Sequence, residues 1–167
     1  MQNKVSDAGS AFKRAETAAA GQAAVANNLG IIEAKNGNRL AAMDMYKKAG
    51  GAGETKYNMG ILEIRNGKYA DAVSNFGSYN GHNKALAQLL AGQAGSVNGT
   101  IDGSNEKEMG YSYYLKAVAA ARSGNNSEVV NLLKTAIEKD GALKAYARDD
   151  AEFVKLREDG GFKGVTN

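Results

Sequence analysis

Apolar positions along this 167-residue chain recur at helical spacing, and then the whole pattern recurs as a block. The stretch Asn28-Leu29-Gly30-Ile31-Ile32-Glu33-Ala34-Lys35-Asn36-Gly37 returns as Asn58-Met59-Gly60-Ile61-Leu62-Glu63-Ile64-Arg65-Asn66-Gly67, and Ala42 then matches Ala72. Met43 against Val73 and Tyr46 against Phe76 keep the apolar character of the positions that follow. A third copy runs Tyr113-Tyr114-Leu115-Lys116-Ala117-Val118-Ala119-Ala120-Ala121-Arg122-Ser123-Gly124, then Val129, Val130, Leu133, Ala136 and Ile137. Each copy predicts two helices joined by a turn, with Gly37, Gly67 and Gly124 as the left-handed residue just past the first helix.

Gly30 and Gly60 fall in mid-helix, where glycine costs about 1 kcal/mol relative to alanine, so packing must require them. The expectation is that Ala42 or Ala72 lies opposite and lets the two backbones approach, with Ala117 keeping a small residue in the third copy. Around these copies, Ser10 to Ala20 reads as the second helix of a partial repeat. His82 to Gly92, with Ala85, Leu86, Leu89 and Leu90, reads as another first helix. Its partner, Ala94 to Ser104, is rich in Gly, Ser and Asn and is expected as a short helix, a loop being the alternative. Ala142 to Arg148 and Asp150 to Glu158 are expected as two short closing helices.

Asn58, Met59, Gly60, Gly67, Tyr69, Ala72 and Phe76, and in the first copy Asn28, Leu29, Gly30, Gly37, Ala42, Tyr46 and Ala49, resemble the tetratricopeptide repeat. The usual Trp is missing, Glu33 and Glu63 replace the first-helix Tyr, and the proline after the second helix is gone. The resemblance implies an all-α fold, a right-handed superhelix of antiparallel helix pairs with C-terminal capping helices. The boundaries expected within residues 1–167 are a partial repeat 8–24, repeats 25–53 and 54–80, a degenerate repeat 82–106, a repeat 108–140 and a cap 141–167. The closing Asp150-Ala151-Glu152-Phe153-Val154-Lys155-Leu156 and the Asn-rich style resemble repeat regions of bacterial cell-envelope proteins. By that analogy the compartment is periplasmic or envelope for a piece of an exported protein, and cytoplasmic otherwise.

Composition narrows the chemistry. With 21 basic and 18 acidic residues the net charge is +3, and no basic run suggests a nucleic-acid or membrane patch. No 18-residue apolar stretch occurs, and the first residues lack the apolar core of a signal peptide. The chain has no cysteine, which removes disulfides and thiol chemistry and leaves the compartment open. The lone histidine, His82, reads as a turn residue, because a catalytic or metal role needs partners the sequence does not name. Acidic pairs such as Asp149/Asp150 read as caps and solubilising charges, and Asp102 to Glu106 lacks the alternating ligands of a calcium loop. Gly50-Gly51-Ala52-Gly53 has no following Lys-Ser/Thr and reads as a helix connector. No catalytic, metal or cofactor site is expected.

Lys35, Arg65 and Arg122 occupy the same first-helix position in the three copies. Tyr57 and Tyr114, with Asn27 as the equivalent in the first copy, form a second row, and Asn28 and Asn58 a third. Since first helices line the concave groove in the family resembled, these rows predict a groove holding a protein or peptide partner. In it Tyr would supply contact area, Asn would bind backbone, and the basic row would favour an acidic ligand. The competing explanation is that Lys or Arg in a last helical turn is favoured by the helix dipole alone, by about 0.3–1 kcal/mol. The carboxylate clamp of some family members is incomplete here, since Asn27, Ile31 and Tyr111 stand where its Lys and other Asn belong. The rival functions are a structural spacer without a groove ligand, an enzyme and a nucleic-acid binder. Neither membrane insertion nor nucleic acid is expected, and the oligomeric state is open.

Overall fold

The computed structural model describes residues 2–18 and 22–167, with side chains from 7–15 and 22–167. Among them every regular element is helical: α1 (Gln2–Ala18), α2 (Ala23–Lys35), α3 (Arg39–Lys48), α4 (Gly53–Arg65), α5 (Tyr69–Phe76) and α6 (His82–Leu90) come first. They are followed by a 3-10 turn (Ala94–Ser96), α7 (Val97–Asp102), α8 (Gly110–Arg122) and α9 (Asn126–Lys139). The chain then closes with α10 (Leu143–Asp149), a second 3-10 turn (Ala151–Leu156) and α11 (Gly160–Thr166). Successive helices pack pairwise: α2 on α3, α4 on α5, α6 on α7 and α8 on α9. The all-α architecture read from the sequence is therefore present.

The four hairpins obey one spacing rule. Their first helices end at Lys35, Arg65, Leu90 and Arg122, each two residues before a left-handed glycine, Gly37, Gly67, Gly92 or Gly124, at φ 85°, 74°, 77° and 75°. At every one of these turns the amide after the glycine donates to the carbonyl five residues back, as Asn38 does to Glu33 at 2.9 Å and Gln93 to Gln88 at 2.7 Å. The glycine amide itself donates three residues back, Gly37 to Ala34 at 3.3 Å and Gly124 to Ala121 at 3.1 Å, which completes the Schellman pattern. A side chain with a Cβ is strained at such φ, so glycine fixes where each hairpin turns.

Beyond the turn, Ala42, Ala72, Val97 and Val129 are fully buried at equivalent positions of the second helices. Four residues on come Tyr46, Phe76, Ile101 and Leu133, all buried as well. The paired first-helix residues are Gly30, Gly60, Ala85 and Ala117. Ala42 does lie opposite Gly30 as expected, but the closest neighbour of both mid-helix glycines is the aromatic ring four residues further on. A Cβ on Gly30 would come within 2.5 Å of the Tyr46 ring and 3.2 Å of the Ala42 carbonyl, and one on Gly60 within 2.9 Å of the Phe76 ring. Real interiors leave no room for such overlap. In the first hairpin Ala42 contributes its backbone, and in both the aromatic ring fills the missing side-chain volume. Where alanine replaces glycine, an aliphatic residue replaces the ring.

The chain divides into two compact units, Met1–Gly77 and Ser78–Asn167. In the first, α1 packs along α2, with Gly9 in ordinary contact range of Ile32. Ala42, Tyr46 and Leu62 form one core cluster flanked by Ile31, Ala34, Met43 and Met59, and Leu29, Ile32, Ala72 and Phe76 are buried as well. The second unit holds a continuous core running from Ala85 and Leu89 through Val97, Ile101, Leu115, Val129 and Leu133 to Leu143, Phe153, Leu156 and Phe162.

Several boundaries differ from expectation. Of the partial repeat placed at 8–24, residues 8–18 lie on α1, which is already helical at Gln2, residues 23–24 open α2, and residues 19–21 fall outside the described residues. Ala94 to Ser104 is a 3-10 turn leading into the short α7, in keeping with the short helix expected. Gly53 opens α4 instead of closing a connector. Ala151–Leu156 is a 3-10 turn, and α11 adds a closing helix not foreseen; Asp159 caps it by accepting from the Phe162 amide at 2.9 Å.

Candidate functional site

In the first unit, α2 and α4 lie side by side, tied by the Asn58 side-chain amide donating to Asn27 Oδ1 at 3.0 Å. Between them opens a cleft of about 130 Å³. Its apolar floor comes from Ile31, Ala34, Ile61, Leu62 and the Tyr46 ring, and its polar border from Lys35, Asn58 and Arg65. Three of the residues singled out from the sequence thus meet around one depression, Lys35 and Arg65 because equal positions on successive first helices face the same way. Tyr46 is buried, which pushes its phenol up, while the nearby Arg65 guanidinium opposes that rise.

The cleft is basic for a local reason. Glu33 accepts from the Asn38 amide at 2.7 Å and Glu63 from the Asn75 amide at 2.6 Å, so the acid two residues before each cleft cation is turned into its own hairpin, while Glu54 stands in the opposite, first turn of α4. Burial holds the Glu63 carboxyl above the ordinary carboxylate range, and the Asn75 hydrogen bond partly offsets it. At the end of α4, Arg39 Nη1 donates to the Arg65 carbonyl at 3.0 Å and to Asn66 Oδ1 at 3.4 Å, adding a cation where the helix exposes its last carbonyls. Lys35 and Arg65 are exposed and carry no carboxylate partner among the described residues.

The remaining groove residues divide. Asn27 is 8% exposed and serves as the acceptor for Asn58. Asn28 is half-buried on α2. Tyr57 sets its ring edge-on to Phe76, centroids 5.4 Å apart, and so supports its own hairpin. Tyr114 and Arg122, in the second unit, are already engaged. Tyr114 is 7% exposed, and its hydroxyl donates to Asp150 Oδ2 at 2.5 Å. Burial and this carboxylate push its phenol well above the usual range. Arg122 forks onto Glu152, Nε to Oε2 at 2.9 Å and Nη2 to Oε1, and its Nη1 donates to the Leu89 carbonyl. The Glu152 contact holds the guanidinium more firmly protonated than usual.

The histidine has partners the sequence did not reveal. His82 is the first residue of α6, and its Nε2 lies 2.7 Å from Ser112 Oγ. Ser112 Oγ donates to the Glu106 carbonyl at 2.6 Å, and the Glu106 carboxylate accepts from the His82 backbone amide at 2.7 Å and stands 3.6 Å from Nδ1. The trio has the members of a serine–histidine–acid array but not its proton order. Because the Ser112 proton goes to a carbonyl, Nε2 must be the donor to Oγ, whereas an activated serine donates to the histidine. Ser112 is also fully buried. As arranged, the trio clasps the start of α6 to the α7–α8 connection. No short motif could have signalled it, since its members are 30 and 24 residues apart.

A second cavity, about 360 Å³, borders Tyr146 and Asp149 on α10 and Asp150 after it, but Arg148 already engages Asp149 and Tyr114 engages Asp150. Among the described residues no group of three or more His, Cys, Asp or Glu could hold a metal ion, and no helix is long and apolar enough to cross a membrane. No protein-family model matches the chain, and no curated protein matches its sequence significantly.

Proposed function

We propose that the chain is a non-catalytic binding scaffold of the tetratricopeptide kind, its helix pairs belonging to a right-handed superhelix and its first-helix face holding a peptide or protein partner. The observation that carries this reading is the convergence of Lys35, Asn58 and Arg65 on one apolar-floored cleft. A cleft with an apolar base and a few fixed polar groups at its border suits a side chain inserted from a partner, with the polar groups setting its orientation. The helix dipole accounts for a basic residue at each helix end, but it does not account for the two side chains bordering the same depression without a carboxylate.

A photo-crosslinking phenylalanine analogue at Ile61 tests the reading. In native extract it should give discrete adducts that fade when Lys35 and Arg65 are both reversed to Glu. The same probe at Leu40, 85% exposed on α3, should give only background. Identical adduct patterns from the two positions would refute a partner in the cleft. The spacer reading draws on the second unit, where Tyr114 and Arg122 are both spent on the chain's own closing segment.

A further inference from the structure

The chain shows on α8 how a first-helix arginine of this array takes an acidic segment. Asp150 stands at the head of the 3-10 turn Ala151–Leu156 and uses both carboxylate oxygens. Oδ1 accepts from the Glu152 amide at 2.9 Å and closes the turn, while Oδ2 accepts from Tyr114. Two residues on, Glu152 presents both oxygens to the Arg122 fork. Phe153 follows, fully buried and edge-on to Tyr114 at 5.8 Å. One short Asp-x-Glu-Phe turn thus supplies two charge-assisted contacts and one buried ring.

Arg65 is the structural counterpart of Arg122: each ends its first helix, two residues before the left-handed glycine. Its side chain has no carboxylate, and Lys35, the counterpart one hairpin earlier, lines the same cleft. The apolar floor of Ile31, Ile61 and Leu62 offers a place for the ring.

We propose that the cleft between α2 and α4 takes an acidic peptide turn of the form Asp-x-Glu-aromatic, in the manner of the chain's own closing segment on α8. The inference rests on the binding-scaffold reading and names its ligand. Charge complementarity decides the class: two cations without acids over an apolar floor discriminate against basic and neutral peptides.

The test is titration of the full isotope-labelled chain with a peptide of the sequence of residues 149–154, and with a control in which its Asp and Glu residues are Asn and Gln. The acidic peptide should perturb the amides of Ile31, Ile61 and Arg65. Its Kd should weaken by about tenfold or more in the Lys35→Glu/Arg65→Glu variant and by less in Lys35→Gln/Arg65→Gln. Perturbation confined to residues 150–156 would overturn the inference, because the peptide would then be displacing the closing segment. Equal binding of the neutral control would overturn it while leaving a groove ligand in place. If neither peptide binds the cleft the inference fails, and the crosslinks from Ile61 then tell whether the scaffold reading fails with it.

Discussion

In α2–α3 and α4–α5 a glycine of the first helix lies under an aromatic ring of the second, whereas in α6–α7 and α8–α9 the same positions hold alanine with Ile101 and Leu133. The small second-helix residue changes in step, from Ala42 and Ala72 to Val97 and Val129. The first two hairpins thus concentrate their side-chain volume in one ring, while the other two spread it over aliphatic residues at all three positions, each filling its own interior. The same division separates the surfaces. The first unit leaves Lys35 and Arg65 over an open cleft. The second buries a long core under its closing turn and spends Arg122 on Glu152. One repeated hairpin thus serves a surface left available in one unit and a surface sealed by the chain itself in the other.

The packing half of this contrast is the easiest to break. Gly30→Ala gains about 1 kcal/mol of helix propensity but drives a methyl into the buried Tyr46 ring, an overpacking cost of about 1–3 kcal/mol. The expected outcome in urea unfolding is a net loss. Adding Tyr46→Leu and Ala42→Val, which reproduces the Ala117, Val129 and Leu133 set, should restore most of it. A stabilised single variant would show that the ring does not occupy that space. In the second unit, Ser112→Ala removes the acceptor of His82 Nε2 and the donor to the Glu106 carbonyl in a fully buried place. Thermal or urea unfolding should report a loss of about 1–3 kcal/mol, and no change would mean the clasp is not holding the α7–α8 connection.

The hairpins were legible in the sequence wherever glycine and an aromatic marked them. Gly37, Gly67 and Gly124 sit at the turns as expected, and the third hairpin escaped full recognition because Ala85, Val97 and Ile101 replace the marked residues. Only the offsets from Gly92 betray it. Ala42 stands opposite Gly30 as its spacing implies, whereas the Tyr46 and Phe76 rings over the two glycines could not be read, because periodicity places residues on a face without saying which side chain reaches across. Lys35 and Arg65 could be grouped by register, since equal positions in stacked pairs face alike, whereas Asn58 falls in a separate row. That Tyr114 and Arg122 are occupied could not be read, because their partners, Asp150 and Glu152, come from a segment outside the repeat pattern. The His82 clasp joins residues no local rule connects.

The contrast between an open and a sealed face comes down to two arginines at equivalent positions, so their charge reversals should be unfolded side by side. Arg122→Glu sets a carboxylate against Glu152 and abandons the Leu89 carbonyl. It should cost roughly 1 kcal/mol or more, the pair being only partly exposed. Arg65→Glu breaks no ion pair and should stay within about 0.5 kcal/mol of the parent, while weakening the crosslinks from Ile61. Equal losses of stability in the two variants, or crosslinks that survive Arg65→Glu undiminished and vanish with Arg122→Glu, would contradict it.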